Sequence, residues 1–134
     1  MTQKNILIVD DSFVMRALLR GIVTSDPDLS VVGEATNGLE ALQSVRELNP
    51  DLVLLDIEMP HMDGIECLKR LRLLSKVPVI IVSSVAQAGS PQALEARKFG
   101  AAEVIAKPSG AMSLDLNAKK GHEIVTASRK VLGI

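Results

Sequence analysis

The chain has 134 residues and a formal net charge of −1, with 15 Lys and Arg against 16 Asp and Glu. This length suits one domain with a sizeable core. The near-neutral charge and scattered basic residues exclude a general polyanion binder, so we expect no nucleic-acid partner. No apolar run approaches the roughly 18 residues of a membrane span, and no signal peptide is evident. We therefore expect a soluble cytoplasmic protein without membrane insertion.

The first elements in chain order are predicted from an apolar run followed by a helical stripe. Residues 5–9 form a short apolar run typical of a buried strand, and residues 30–35 form a second one. Between them, apolar residues recur at helical spacing and predict one buried helix face. That face consists of Met15, Leu18, Leu19, Ile22 and Val23.

Two capping patterns frame the third predicted strand. Asn37, with Glu40 three residues later, predicts the start of a helix before the strand at 52–55. Asp63 and Glu66 resemble a capping box and predict the next helix after that strand.

The C-terminal part continues the alternation of strands and helices. A strand at 78–82 precedes Ser90-Pro91, a cap with proline at the first helical position, and Gly100 closes the helix that follows. A strand at 103–106 and a last helix at about 119–132 complete the pattern.

Residues 107–115 are rich in turn-forming residues and interrupt the pattern before the last helix. We expect residues 1–108 to form the core through the fifth strand. The turn and last helix, residues 109–134, are expected to complete the same single domain. The one cysteine, Cys67, excludes an internal disulfide and falls on an apolar helix face, which indicates a buried, inert thiol.

Five strands alternating with five helices predict an α/β fold with a parallel sheet covered on both faces. The doubly wound, flavodoxin-like strand order 2-1-3-4-5 is the commonest arrangement at this length. Its topological switch point lies between the first and third strands. Ligands of such sheets bind at the carboxyl ends of the strands, so the predicted site lies there.

Polar residues follow four of the predicted strands. Asp10 and Asp11 follow the first, Asp56 the third, Ser83 the fourth and Lys107 the fifth. Each has a simpler interpretation as a helix cap or turn residue, but their joint occurrence favours one site. Clustered carboxylates with a hydroxyl and an ammonium suit Mg²⁺-assisted phosphoryl transfer to an aspartate nucleophile.

In this combination the chain resembles the receiver domains of two-component response regulators, the CheY-like family. The resemblance runs from about residue 4 to residue 108. The matching residues are Asp10-Asp11, Asp56, Met59-Pro60, Met62-Asp63-Gly64, Ser83 and Lys107-Pro108.

The resemblance implies that Asp56 accepts a phosphoryl group from the phosphohistidine of a chemotaxis-type histidine kinase. It also implies that Asp11, Asp56 and the backbone carbonyl of Glu58 bind Mg²⁺ directly, with Asp10 acting through water.

Ser83 and Lys107 would hold the phosphoryl oxygens, and the surface around helix 4, strand 5 and helix 5 would switch. Two features depart from the family pattern. Val104 occupies a position where many receivers have Tyr or Phe, and Glu58 adds a carboxylate near the site.

A narrower resemblance, to the receiver part and linker of CheB-type chemotaxis methylesterases, covers residues 82–84, 106–110 and 113–116. No Gly-x-Ser-x-Gly-type nucleophile elbow is present. We therefore expect a regulatory module and not an enzyme, with a C-terminal methylesterase domain of the same polypeptide as its partner. A free-standing monomeric receiver is the alternative, and a monomer is expected in either case.

Three other function classes compete with this interpretation. A haloacid-dehalogenase-type phosphatase would need a second acid two residues after the nucleophile, and Glu58 supplies one. In that class, however, the nucleophile ends the first strand, whereas Asp56 ends the third. A flavodoxin-like cofactor binder would need a phosphate loop where Asp10-Asp11 lies. The third is a receiver-shaped interaction module that no longer accepts phosphate.

Overall fold

A computed structural model describes residues 3–84, 89–107 and 114–134, with only the backbone described for residues 114–117. Within these ranges five strands alternate with five helices. The strands are β1 (Lys4–Val9), β2 (Leu29–Ala35), β3 (Leu52–Leu55), β4 (Val79–Ser83) and β5 (Glu103–Ala106). The helices are α1 (Phe13–Thr24), α2 (Gly38–Leu48), α3 (Gly64–Leu74), α4 (Pro91–Lys98) and α5 (Leu114–Leu132).

The five strands form one parallel sheet in the order β2-β1-β3-β4-β5, which confirms the predicted doubly wound fold. The chain crosses from β2 on one side of β1 to β3 on the other, so the switch point lies between β1 and β3. In that pair Val9 lies opposite Leu55, the last residue of each strand. The residues that follow these two strands are therefore neighbours.

The helices begin where short polar side chains accept hydrogen bonds from free backbone N–H groups. The predicted caps Asn37, Asp63 and Ser90 accept from the backbone N–H three residues later in each case. At α1 the cap is Ser12, which accepts from Met15 N, so neither aspartate before it caps the helix.

Apolar side chains fill the space on both faces of the sheet. On one face α1 and α5 cover β-strand residues such as Ile6 and Ile8, and Leu19 and Ile124 are buried there. On the other face α2, α3 and α4 cover the second part of the core. The largest strand side chains are fully buried, which is typical of a parallel sheet protected on both sides.

Cys67 lies in the second part of the core. It is fully buried, and burial raises the pKa of its thiol to about 12. The predicted burial of Cys67 is confirmed, and the raised pKa of its thiol agrees with the expectation that it is not a nucleophile.

Two predicted boundaries were wrong. The last helix begins at Leu114 and not near residue 119, because Leu114 and the residues after it contain no proline or glycine until Gly121. Ser83 is the last residue of β4 and not the first residue of the next loop, because it pairs with Ala106 of β5. Residues 108–113 of the predicted turn lie outside the described residues.

Across the described ranges, no helix has the length and apolar character needed to cross a bilayer.

Candidate phosphoryl and metal site

Backbone hydrogen bonds at the sheet edge place the first and third strand ends side by side. Asp10 N donates to Ala35 O at 3.1 Å, and Asp56 N donates to Val9 O at 3.0 Å. These bonds extend the ladder one residue past β1 and β3. Asp10 and Asp56 are thereby fixed at the carboxyl edge of the sheet.

Three carboxyl groups converge at this edge. One oxygen from each of Asp10, Asp11 and Asp56 lies within 4.8 Å of the others. Asp10 is fully buried and Asp56 is 2% exposed, whereas Asp11 is exposed. The site therefore has a closed inner side and an open outer side.

Lys107, directly after β5, bridges the two buried carboxylates. Its Nζ lies 2.9 Å from Asp10 Oδ2 and 3.1 Å from Asp56 Oδ2. Burial lowers the pKa of Lys107, but the hydrogen bonds and charges of Asp10 and Asp56 outweigh this effect and raise it. The ammonium group is therefore a permanent positive charge in the site.

The pKa of Asp56 is raised above its ordinary value. Burial is the largest cause, the nearby Lys107 opposes it, and the charge of Asp10 adds to it. A hydrogen bond with Ser83 also acts to lower this pKa. Ser83 is itself fully buried at the end of β4. Burial and repulsion of this kind make the Asp56 carboxylate a group that a cation would stabilise.

The donor set around the carboxylates fits a hard divalent cation. Asp10 Oδ1 accepts from Ser12 N at 2.9 Å, while Oδ2 of the same group pairs with Lys107. Asp56 Oδ1 and Asp10 Oδ2 are both buried and have no geometrically complete hydrogen bond among the described residues, although Asp10 Oδ2 forms the ion pair with Lys107. A buried carboxylate oxygen without a donor is costly, and all-oxygen ligation is what Mg²⁺ prefers.

An open cleft of about 380 Å³ gives access to these groups. Its lining residues include Glu58, whose side chain is exposed, and Ser84. The full lining is Asp11, Asp56, Glu58, Met59, Pro60, Ser84 and Lys107. The cleft can admit a phosphoryl group from outside while Asp10 stays enclosed.

The turn from β3 into α3 depends on a glycine. Gly64 N donates to Ile57 O at 2.7 Å, and a Cβ on Gly64 would collide with the Asp56 carbonyl oxygen and lie 2.7 Å from Ile57 Cα. The close approach holds the backbone of Asp56 against the start of α3. Sequence reasoning used Gly64 only as part of a motif and gave no role to this contact.

Arg16 of α1 is a site neighbour that sequence reasoning missed. Its Nη1 donates to the backbone carbonyl of Asp10 at 2.9 Å, and its Nε donates to Glu34 Oε1 at 3.0 Å. A contact to a backbone carbonyl has no residue-type signature. The helical spacing of α1 gave no signal for it either.

Val104 lies in β5 where many receivers have an aromatic ring. It is partly buried and packs against the core covered by α2, α3 and α4. The described residues therefore contain no aromatic side chain at this point of the site.

Comparison with known proteins assigns the family. Residues 6–119 match the response regulator receiver domain. The chain belongs to the response-regulator receiver family. Its relatives among curated proteins include methylesterases. One is a protein-glutamate methylesterase/protein-glutamine glutaminase of Syntrophomonas wolfei, 48% identical over 90% of this chain. Another, from Halalkalibacterium halodurans, is 51% identical over 83% of this chain.

The receiver matches only part of each of these enzymes, 34% of the first and 32% of the second. The chain therefore spans about a third of the length of these relatives. It is homologous to the regulatory domain of CheB.

Solved structures agree with this placement. The response regulator domain of Thermotoga maritima CheB is 39% identical, with a TM-score of 0.90 and 98% of both chains covered. A chain from the complex of the CheA3 P1 domain with CheY6 of R. sphaeroides is 41% identical with a TM-score of 0.81. The predicted receiver fold and its CheB-type character are both confirmed.

Proposed function

We propose that this receiver is a phosphorylation-controlled switch in which Asp56 accepts a phosphoryl group from a chemotaxis-type histidine kinase. The observation that supports this most directly is the state of Asp56. It is a buried carboxylate with one oxygen lacking a donor, beside two further carboxylates and one ammonium. Such a group is poised to react, and the cleft leaves it reachable from outside.

In the proposed reaction an Asp56 oxygen attacks the phosphorus of a phosphohistidine. The new O–P bond forms as the P–N bond breaks, and the released imidazole nitrogen takes a proton from solvent. Lys107 and Ser83 would bind the phosphoryl oxygens, because their polar atoms already lie around the same carboxyl group.

Mg²⁺ would be held by Asp11, Asp56 and the Glu58 backbone carbonyl, with Asp10 acting through water. When bound, it supplies neutralisation of the charge on the transferring oxygens. The full burial of Asp10, with Oδ1 bonded to Ser12 N and Oδ2 ion-paired with Lys107, supports an indirect role for that residue.

The methylesterase relatives suggest the wider role. We infer that this chain is the regulatory part of a CheB-like protein, with a methylesterase domain as the regulated partner. The whole enzyme's activity would belong to that partner and not to the receiver. We also propose that residues 109–134 complete the receiver domain, since Ile124 and Ser128 of α5 are fully buried.

The phosphorylation proposal is tested by intact-mass analysis after incubation with Mg²⁺ and a small phosphodonor. The wild-type protein should gain one phosphate, and Asp56→Asn should gain none because the amide is not a nucleophile. Asp51→Asn is a matched control, since Asp51 lies at the opposite edge of the sheet and accepts from Asn5 N. A phosphate on Asp56→Asn at the wild-type rate, or a phosphate resistant to hydroxylamine, would remove the assignment.

A further inference from the structure

The turn that carries Asp10 and Asp11 lies between β1 and α1, and besides the ion pair of Asp10 with Lys107 three hydrogen bonds that involve side chains hold it. Ser12 N donates to Asp10 Oδ1, and Ser12 Oγ accepts from Met15 N. The third contact comes from further along α1, where Arg16 Nη1 donates to Asp10 O at 2.9 Å. Arg16 therefore lies outside the turn and binds the turn's backbone through its side chain.

Arg16 is itself held in place from β2. Its Nε lies 3.0 Å from Glu34 Oε1, and its side chain is only 13% exposed. Arg20, one helical turn later, binds the second oxygen of Glu34 but lies 47% exposed. Burial acts to raise the pKa of Glu34, yet the bonds and charges of Arg20 and Arg16 lower it, so Glu34 remains an anion that braces both arginines.

We propose that Arg16 is a positioning residue for the metal and phosphoryl site. By linking Glu34 of β2 to the Asp10 carbonyl, its guanidinium fixes the backbone from which Asp10 and Asp11 project. This inference rests on the proposed function. Mutation of groups that orient metal ligands without touching the metal typically lowers metal affinity by about 10- to 100-fold.

A purely electrostatic role and a positioning role of Arg16 predict opposite changes in Mg²⁺ affinity when Arg16 is removed. Loss of a positive charge near a cation site would tighten Mg²⁺ binding by simple electrostatics. Loss of a positioning contact would weaken it. Arg20 provides the matched comparison, because it has the same charge and the same Glu34 partner but no contact with the Asp10 backbone.

The test measures Mg²⁺ affinity by isothermal titration calorimetry on the full chain and the variants Arg16→Gln, Arg16→Lys and Arg20→Gln. Arg16→Gln should bind Mg²⁺ about tenfold more weakly. Arg16→Lys should also be weak, because a lysine cannot bind the carbonyl and Glu34 with a planar fork. Arg20→Gln should match or slightly exceed wild-type affinity.

Wild-type affinity in Arg16→Gln, or equal losses in the Arg16 and Arg20 variants, would overturn the inference. Thermal unfolding without Mg²⁺ checks that each variant folds. If Arg16→Gln does not fold, Arg16→Lys and Glu34→Gln decide, with weakened binding expected in both and unchanged binding overturning it. If the wild-type protein neither binds Mg²⁺ nor gains phosphate, the proposed function fails first and the inference with it.

Discussion

The arrangement proposed to make Asp56 reactive has a cost in stability. Its carboxylate is buried close to Asp10 and Asp11, and Lys107 supplies one positive charge against the three acids. Without a metal, the folded state therefore keeps like charges together that the unfolded chain separates. Strained or repulsive arrangements of this kind are common where a protein's activity requires them.

Asp56→Asn should therefore stabilise the metal-free protein. Removal of one buried charge should raise the free energy of unfolding by about 1 kcal/mol, measured by urea denaturation with chelator present. Added Mg²⁺ should reduce the difference, because it stabilises only the form that binds it. A less stable Asn variant under both conditions would contradict this account of the site.

Asp11→Ala should weaken Mg²⁺ binding more than Asp10→Ala. Asp11 is exposed and accessible to a metal, whereas Asp10 is buried, with Oδ1 bonded to Ser12 N and Oδ2 ion-paired with Lys107. Calorimetric titration of both variants gives the order. Equal affinity in both variants and wild type would remove the proposed metal site.

Lys107→Arg should preserve the fold and the charge but impair switching. The ammonium reaches Asp10 and Asp56 at 2.9 and 3.1 Å from a single atom, which a planar guanidinium cannot reproduce. We expect phosphorylation to be detectable by mass but the amide-exchange response to be lost. Normal phosphorylation together with a normal response would show that charge alone is sufficient.

Among the elements, the strand ends were predictable and the contacts between elements were not. The lengths of the apolar runs and the parallel topology are enough to predict that Asp10, Asp56 and Lys107 lie at one edge of the sheet. The contact of Arg16 with a carbonyl and its pairing with Glu34 depend on the packing of α1 against β2. Nothing in the residue pattern of either element specifies that packing.

The predicted start of α5 was wrong because turn-forming residues lie just before it in the sequence. The predicted turn extends to residue 115 because Pro108, Ser109 and Gly110 are turn-forming residues. Leu114 is nevertheless already helical.

The turn between β3 and α3 gives a prediction at the same scale. Gly64→Ala should destabilise the protein by about 1–3 kcal/mol, because its Cβ meets rigid backbone at Asp56 and Ile57. Gly21→Ala in α1 is the matched control. Its Cβ would have nothing within 4 Å, so alanine should stabilise the helix by up to about 1 kcal/mol. Urea denaturation of both variants tests the pair, and equal effects would contradict the close approach at Gly64.

In the whole molecule, the signal from Asp56 should leave through α4, β5 and α5. Ser83 ends β4, Lys107 follows β5, and Lys107 N donates to Ser83 O at 3.2 Å, so the two groups proposed to bind the phosphoryl oxygens lie under the same surface. With Val104 in place of a ring, the change should be modest and spread over this surface. Residues 85–88 of the loop expected to move lie outside the described residues.

Amide exchange with and without Mg²⁺ and a beryllium-fluoride phosphate mimic tests this route. Changes in protection should concentrate between residues 84 and 107 and in α5. Changes confined to α1 and α2, with residues 84–107 unaffected, would mean that the signal leaves by another face.

The pairing of Val9 with Leu55 has a consequence for how the chain folds. Asp10 and Asp56 become neighbours only when β3 has crossed past β2 and aligned on β1 in the correct register. A slip of one residue would turn every side chain of β3 to the opposite face. A misaligned intermediate therefore lacks the three-carboxylate site. Metal binding during refolding would therefore report that β3 has aligned correctly on β1. Such a readout is useful because the chain has no Trp or Tyr to serve as an optical probe.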